Sequence, residues 1–364
     1  MATDSYQLRV AEVVEETEDA RSVVFDVPAE LQDTFAYTPG QFLTVAVPSD
    51  RTGLVARCYS LSSAPHSGRH QITVKRTIDG YASNWIVENL AAGDTLRVLP
   101  PSGIFTPKDV DADFLLFAGG SGITPVISIA RTALEKGTGK VVLLYANDNE
   151  ASVIFARDLA ELATEYADRF TLVHWLVSVQ GLPSQRQLAL FASYFSSYTA
   201  FVCGPAPYMK AVTDALKELG FPRERRHQEK FVSLGGNPFG DVEEVLAAQA
   251  ELQDADDGEG EDPQPAEPTF AGPISVEVEL DGQQFAFDDW QGDEVLLEFL
   301  EAKGVDAPFS CREGQCSACA CVVLEGEVLL LHNEVLDKDD LADGIRLVCQ
   351  AKPASEKLRI SYNG

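Results

Sequence analysis

Four cysteines constrain this chain more than anything else in it. Cys311, Cys316, Cys319 and Cys349 are spaced C-x4-C-x2-C-x29-C, the plant-type pattern for a [2Fe-2S] cluster held by four thiolates. Three thiols on the short loop Cys311-Arg312-Glu313-Gly314-Gln315-Cys316-Ser317-Ala318-Cys319, with small residues among them, can wrap a cluster while backbone N–H groups point at its sulfurs. The fourth arrives from a separate segment. A zinc site would ask for paired C-x2-C knuckles, which are missing, and a disulfide loop for an exported chain.

The 364 residues, 45% of them hydrophobic, suffice for two or three domains with real cores. The opening Met1-Ala2-Thr3-Asp4-Ser5-Tyr6 has no basic start leading into an apolar stretch. No later run approaches the roughly 18–20 apolar residues that span a bilayer, so a soluble, cytoplasmic protein is expected. Four iron ligands among seven cysteines leave Cys58, Cys203 and Cys321 as thiols, with Cys321 a packing residue. The net charge of −29 is uneven: residues 1–240 carry 21 basic and 27 acidic side chains, 241–271 none and 11, and 272–364 seven and 19. Such an acidic last third repels nucleic acid and anionic lipid and favours a basic protein surface as partner.

From Tyr6 to about Pro101 the chain runs in short β-rich pieces separated by turns such as Pro39-Gly40, Ser67-Gly68, Asp79-Gly80 and Gly93-Asp94, which predicts an antiparallel barrel with one short helix near Asn84–Leu90. Beyond Asp113, continuous apolar runs (Phe114–Ala118, Val141–Ala146, Leu172–Ser178, Ala200–Cys203) alternate with helical stretches, the pattern of a parallel sheet covered on both faces. Residues 235–271 read as an extended acidic, proline-bearing linker, with a transient helix over Asp241–Ala250. Ile274–Leu280 and Gln284–Phe287 then form a hairpin around Asp281-Gly282, and Val295–Lys303 a helix before the cysteine loop, as in a β-grasp unit. The expected division is 1–108, barrel; 109–234, α/β; 235–271, linker; 272–364, [2Fe-2S] unit.

Four motifs carry further chemistry. In Arg57-Cys58-Tyr59-Ser60, strand alternation puts Arg57 and Tyr59 on one face and Ser60 on the other; a guanidinium suits phosphate, a phenol ring a flat apolar ring, a serine a ring nitrogen. On these residues alone an ordinary exposed barrel strand is the better reading, since Arg and Tyr are common there. Gly80-Tyr81-Ala82-Ser83 opens a helix, where free N–H groups favour an anion or Ser83 simply caps. Gly119-Gly120-Ser121-Gly122-Ile123-Thr124-Pro125 joins a buried strand to a helix, permits close backbone approach, and lets Thr124 cap with Pro125 in the first helical position. It departs from G-x-G-x-x-G. Cys203-Gly204-Pro205 ends another strand, and both loops could meet at one sheet edge.

Together, in order and content, these residues resemble the ferredoxin–NADP reductase superfamily with a ferredoxin module fused at the C-terminus. More narrowly, Ala56–Leu61, Val74–Thr77, Asp79–Trp85, Ser152–Phe155 and Ala307–Gly314 are similar to the reductase components of actinobacterial 3-ketosteroid 9α-hydroxylases, across nearly the whole chain except the linker. The resemblance implies FAD rather than FMN, with Arg57, Tyr59 and Ser60 holding the isoalloxazine, Val74, Lys75 and Arg76 alongside, and Ser83 on the pyrophosphate. It implies Gly120, Ser121, Gly122 and Thr124 for the nucleotide, Cys203, Gly204 and Pro205 flanking the nicotinamide, and Glu229 and Phe231 closing the flavin site. Ser60, Cys203 and Glu229 are then the catalytic candidates.

Past Val141–Ala146 come Asn147-Asp148-Asn149-Glu150; a carboxylate such as Asp148 accepts bonds from a ribose diol but repels a 2′-phosphate. NADH is favoured on that ground, although Arg157 could reach the site. The implied function is electron delivery from NADH through FAD and [2Fe-2S] to a Rieske-type terminal oxygenase, by a monomer. A different oxygenase, such as a di-iron system that epoxidises an aromatic acyl-CoA, and a non-catalytic redox sensor are the alternatives.

Overall fold

The computed structural model describes residues 5–49, 53–78, 80–231, 238–239, 273–280, 282–305, 307–309 and 311–362. Its first unit contains β1 (Tyr6–Thr17), β2 (Ala20–Asp26), β3 (Phe42–Ser49), β4 (Gly53–Ser60), β5 (His70–Lys75) and β6 (Thr95–Val98). All pair antiparallel in the order β4-β3-β6-β1-β2-β5. A single bridge, Leu61 to Ile72, joins the two edges. Leu8, Val10, Val23, Leu43, Val45, Ile72 and Val74 fill its interior, the inward half of the alternation that the sequence shows. Helix α1 (Tyr81–Asn89) begins three residues earlier than expected, after Gly80.

The second unit is a five-stranded, wholly parallel sheet: β7 (Phe114–Gly119), β8 (Val141–Asn147), β9 (Phe170–Leu176), β10 (Thr199–Cys203) and β11 (Arg226–Glu229), in the order β11-β10-β7-β8-β9. Strand order reverses between β7 and β10, where the chain leaves in opposite directions and opens a crevice at the strands' carboxyl ends. The edge strand β11 was not legible in the sequence: Arg-His-Gln-Glu has no apolar run, and it pairs because β10 offers it an open edge. Helices α2 (Ile123–Lys136), α3 (Ala156–Glu165), α4 (Val177–Gln180), α5 (Gln185–Ala192) and α6 (Ala206–Glu218) flank the sheet. On α6, Met209, Val212, Ala215 and Leu216 form the buried stripe.

The third unit is a mixed sheet, β13-β12-β18-β14-β16, formed by β12 (Ile274–Leu280), β13 (Gln283–Trp290), β14 (Ala320–Glu325), β16 (Ile345–Leu347) and β18 (Lys357–Ser361). β12 and β18 pair in parallel, the mark of a β-grasp. A separate pair joins β15 (Val328–Leu330) to β17 (Ala351–Pro353). Helix α7 (Leu296–Ala302) covers the sheet with Leu296, Leu297, Phe299 and Leu300, and a short acidic helix, α8 (Lys338–Ala342), lies on the other flank. Cys321 packs in this core, as expected. Among the described residues, no helix is long and apolar enough to cross a membrane.

Among the described residues of the expected linker, Phe239 is anchored. Phe239 is 3% exposed, packed with barrel residues Phe42, Ala46, Ala56 and Leu99 and with Cys311, Cys316 and Ala318 of the cysteine loop. Arg97 donates to its carbonyl at 2.7 Å and lies over its ring. The turns at Asp79 and Asp281 and the expected helix over Asp241–Ala250 fall wholly or partly outside the described residues.

Candidate functional site: a shared cavity behind a cysteine loop

One cavity of about 940 Å³ is lined by both of the first two units. The barrel contributes Arg57, Cys58, Tyr59, Ser60, Lys75 and Ser83, and the parallel sheet Gly119, Gly120, Ser121, Thr124, Asp148, Gly204, Pro205 and Tyr208, with Phe231 closing the rim. Residues from segments more than a hundred positions apart meet here because β4's end and the carboxyl ends of β7 and β10 face one another. The strand end puts all four of Arg57–Ser60 on the wall, where alternation alone had separated Ser60 from Arg57 and Tyr59.

Five of the expected residues do not line this wall: Val74, Arg76, Gly122, Cys203 and Glu229. Val74 lies in the barrel core. Arg76 turns to Glu88 and Asn84. Gly122 sits behind the loop, where a Cβ would overlap the Cys203 carbonyl; its lack of a side chain lets β7 and β10 close together. Gly120 takes φ +51°, with open space around its α-carbon. Thr124 donates to the Ser121 carbonyl at 3.0 Å and Pro125 lies inside α2, so Gly122, not Thr124, occupies the cap position. Ser83 accepts from the Thr77 N–H at 3.0 Å rather than capping α1 from its first position.

Unsatisfied polar atoms mark the cavity as built for a ligand. Ser60 Oγ, both amide atoms of Asn147 and Tyr208 OH belong to lining residues and are buried without a protein partner, a state that costs about 1–3 kcal/mol per group unless something else bonds them; Glu229 Oε2, beside Ser60 but not on the wall, is likewise unpaired. Asn147 and Tyr208 were missed in the sequence, since nothing local distinguishes a buried Asn at a strand end. Burial pushes the Glu229 carboxyl up to about 8, with Ser60 nearby pulling slightly the other way. The contact between them falls short of a hydrogen bond with normal geometry, because Ser60 Oγ has no partner. Cys203 is buried beside Glu229, and burial followed by that carboxylate raises its thiol. Shape, aromatic and hydroxyl donors, glycine-lined backbone and orphan atoms fit a flavin and a nicotinamide nucleotide end to end.

The four expected iron ligands gather in the third unit. The Cys311 thiol reaches those of Cys316 and Cys349, and Cys349 also reaches Cys319. Backbone N–H groups of Glu313 and Gln315 point at Cys311 Sγ at 3.4 and 3.3 Å, and that of Cys311 at Cys316 Sγ at 3.3 Å. The loop holds Arg312, Gly314 and Ser317 at φ of +61°, +72° and +54°, sparsely populated conformations that persist where surroundings over-determine them. Arg312 is held by both oxygens of Glu301 at 2.9 and 2.5 Å and lies on the Phe309 ring. No set of three or more metal-ligating side chains among the described residues closes on a single ion; a two-iron cluster takes its thiolates over a wider span. Thiolate donors and amide-lined sulfurs fit such a cluster.

Strand β4 borders both sites. Its residues 57–60 line the cavity, while Cys58 also packs with Cys311 and Cys316 on the far side.

Comparison with known proteins agrees with this division. Residues 7–106 match an oxidoreductase FAD-binding domain, 116–214 an oxidoreductase NAD-binding domain, and 278–354 a 2Fe-2S iron-sulfur cluster binding domain. The chain is 52% identical over 356 residues, 98% of itself and 96% of the relative, to the 3-ketosteroid-9-alpha-monooxygenase ferredoxin reductase component of Rhodococcus rhodochrous. It is 32% identical to a component of the 1,2-phenylacetyl-CoA epoxidase of Escherichia coli, over 99% of this chain and 98% of that one. Phthalate dioxygenase reductase shares the fold at a TM-score of 0.53 and 23% identity, over 98% of both chains. By its identity along nearly its whole length, the chain belongs to the family of 3-ketosteroid-9-alpha-monooxygenase ferredoxin reductase components.

Proposed function

We propose that this protein draws electrons from NADH through FAD and a [2Fe-2S] cluster and delivers them singly to a Rieske-type terminal oxygenase that hydroxylates a 3-ketosteroid. The observation that carries the reading is the single cavity walled by both the FAD-binding and NAD-binding units, with the cysteine loop packed behind the same strand. When bound, the flavin accepts a hydride and parts with electrons one at a time, which is what a cluster can take.

The chain's own residues bind and orient. Arg57 and Lys75 offer cations to the flavin's phosphates, Tyr59 a flat face to its ring, and Ser60 a hydroxyl to a ring nitrogen. Ser83 and the start of α1 sit where the pyrophosphate belongs. Gly120, Ser121 and Thr124 present backbone to the nucleotide, and Gly204 and Pro205 keep the wall thin beside Cys203. Phe231, half exposed at the rim, would close the flavin side of the cavity. Glu229, its carboxyl pushed up to about 8 by burial, holds a proton and a carbonyl dipole beside Ser60. Asp148 on the cavity wall accepts from a ribose diol and repels a 2′-phosphate, which selects NADH.

The acidic third unit suits a basic face on the oxygenase, and a cytoplasmic location fits seven cysteines without a disulfide. The epoxidase-type alternative has the weaker support, 32% identity against 52%. The test is anaerobic titration with NADH and then NADPH, followed by reconstitution with the steroid oxygenase. The expected result is bleaching of flavin and cluster by NADH in preference to NADPH, and substrate hydroxylation. Flavin reduction without cluster reduction, or turnover with an acyl-CoA epoxidase alone, would overturn it.

A further inference from the structure

The third unit is docked on the first two by two different kinds of contact. The first is the apolar seam already described, in which Cys311, Cys316 and Ala318 meet Phe42, Ala46, Ala56 and Leu99. The second lies on the edge of the parallel sheet. Arg223, just before β11, pairs with Asp340 of α8 and with Asp343 at 3.2 Å. Lys217 at the end of α6 and Arg226 at the start of β11 both reach Asp339, at 2.9 and 3.7 Å. Gln228 donates to Asp337. These partners are 109 to 122 positions apart in sequence, so the pairs join units and not neighbours.

This ionic face is packed. The space left between β11 and the Asp337–Asp339 segment is about 10 Å³, room for about one water. The Arg223 and Asp340 side chains are 23% and 15% exposed, which makes the pair stronger than a solvent-bathed one. The two faces constrain the unit differently. Apolar contact is non-directional, and alone would let the cysteine loop slide or rotate over the barrel. Charge pairs fix register. Tethering by the segment after Phe239 keeps the unit close whatever its orientation.

Resting on the electron path proposed above, we infer that Arg223, supported by Lys217 and Arg226, is a positioning residue for the flavin-to-cluster electron step: by pinning α8 to the sheet edge it holds the cysteine loop against β4. In that step one electron leaves the reduced flavin and one ferric ion of the cluster gains it, so nothing but distance and orientation is asked of the protein. The acidic character of the third unit then has its first use within the chain, and an oxygenase with a basic face competes for the same carboxylates.

The test uses the full, cofactor-loaded protein in rapid-mixing experiments that follow flavin and cluster absorbance separately, together with hydrogen exchange of segment 337–343. Arg223→Asp should leave flavin reduction by NADH unchanged, slow cluster reduction about tenfold or more, and raise exchange in 337–343. Adding Asp340→Arg to that variant should restore both readouts. High salt should act on the wild type in the same direction as Arg223→Asp. Lys210→Ala removes an exposed charge nearer the start of α6, where it pairs within the helix with Asp214, and should change neither. Unaltered cluster reduction and exchange in Arg223→Asp would overturn the inference, as would failure of the reversed pair to restore them or an equal slowing of flavin reduction. A wild-type cluster that NADH never reduces would instead overturn the function on which it rests.

Discussion

Glu229, on the sheet edge and buried beside Ser60 of the barrel, tests how the two units meet. Its carboxyl titrates at about 8 in the folded protein against 4.5 unperturbed, and burial is the cause. Between those values the folded protein keeps a proton that the unfolded chain has released. Stability therefore falls as pH rises through this window, starting near the unfolded value and ending above the folded one. At 1.36 kcal/mol per pH unit the upper limit is about 5 kcal/mol, and relaxation around the carboxylate lowers it to the order of 2–3 kcal/mol. Glu229→Gln keeps the shape and removes the titration. Because three cores need not melt together, the assay is the midpoint of flavin release on heating, read by flavin fluorescence. The variant should match the wild type at about pH 5 and exceed it by several degrees at about pH 9. An equal difference at both pH values would refute the argument, since only the ionised form is penalised.

Other perturbations give clear expectations. Gly314→Ala must place a side chain at φ +72° and 2.6 Å from the His332 carbonyl oxygen, so the visible absorbance of the cluster should be lost while NADH still reduces the flavin. Gly122→Ala drives a methyl into the Cys203 backbone; β7 and β10 should part, with a loss of about 1–3 kcal/mol in thermal unfolding and weaker nucleotide binding by titration. Asp148→Ser removes the charge that faces a 2′-phosphate, and kcat/KM for NADPH should rise about tenfold, or about 1.4 kcal/mol, with that for NADH lowered.

The elements themselves were largely legible. Alternation over Tyr6–Thr17 and continuous apolar runs such as Phe114–Gly119 are local records of one-sided and two-sided burial, and cysteine spacing records a ligand set because a short loop can close on a cluster only in few ways. These features depend on near neighbours, so the chain carries them openly. Arg57, Tyr59, Ser60, Gly120 and Gly204, singled out by the family resemblance of their motifs, all lie on the cavity wall.

What the linear chain could not show were pairings across units. Strand β11 exists because β10 leaves an edge to fill, and Arg-His-Gln-Glu has no periodicity to announce it. Asn147 and Tyr208 stand out in no local pattern, and only the folded α/β unit buries them without partners. Val74 and Arg76 sit in a motif-like run, yet one faces the core and the other a helix carboxylate. The position of the cysteine loop behind Cys58, and the grip of Arg223 on Asp340, arise from surfaces that meet only after three domains have folded. Sequence by itself determined the cysteine motif and the order of the three units, because loop spacing and strand burial are local; tertiary structure alone decided which other groups meet and how they face one another, because docking is set by burial and charge between segments far apart in the chain.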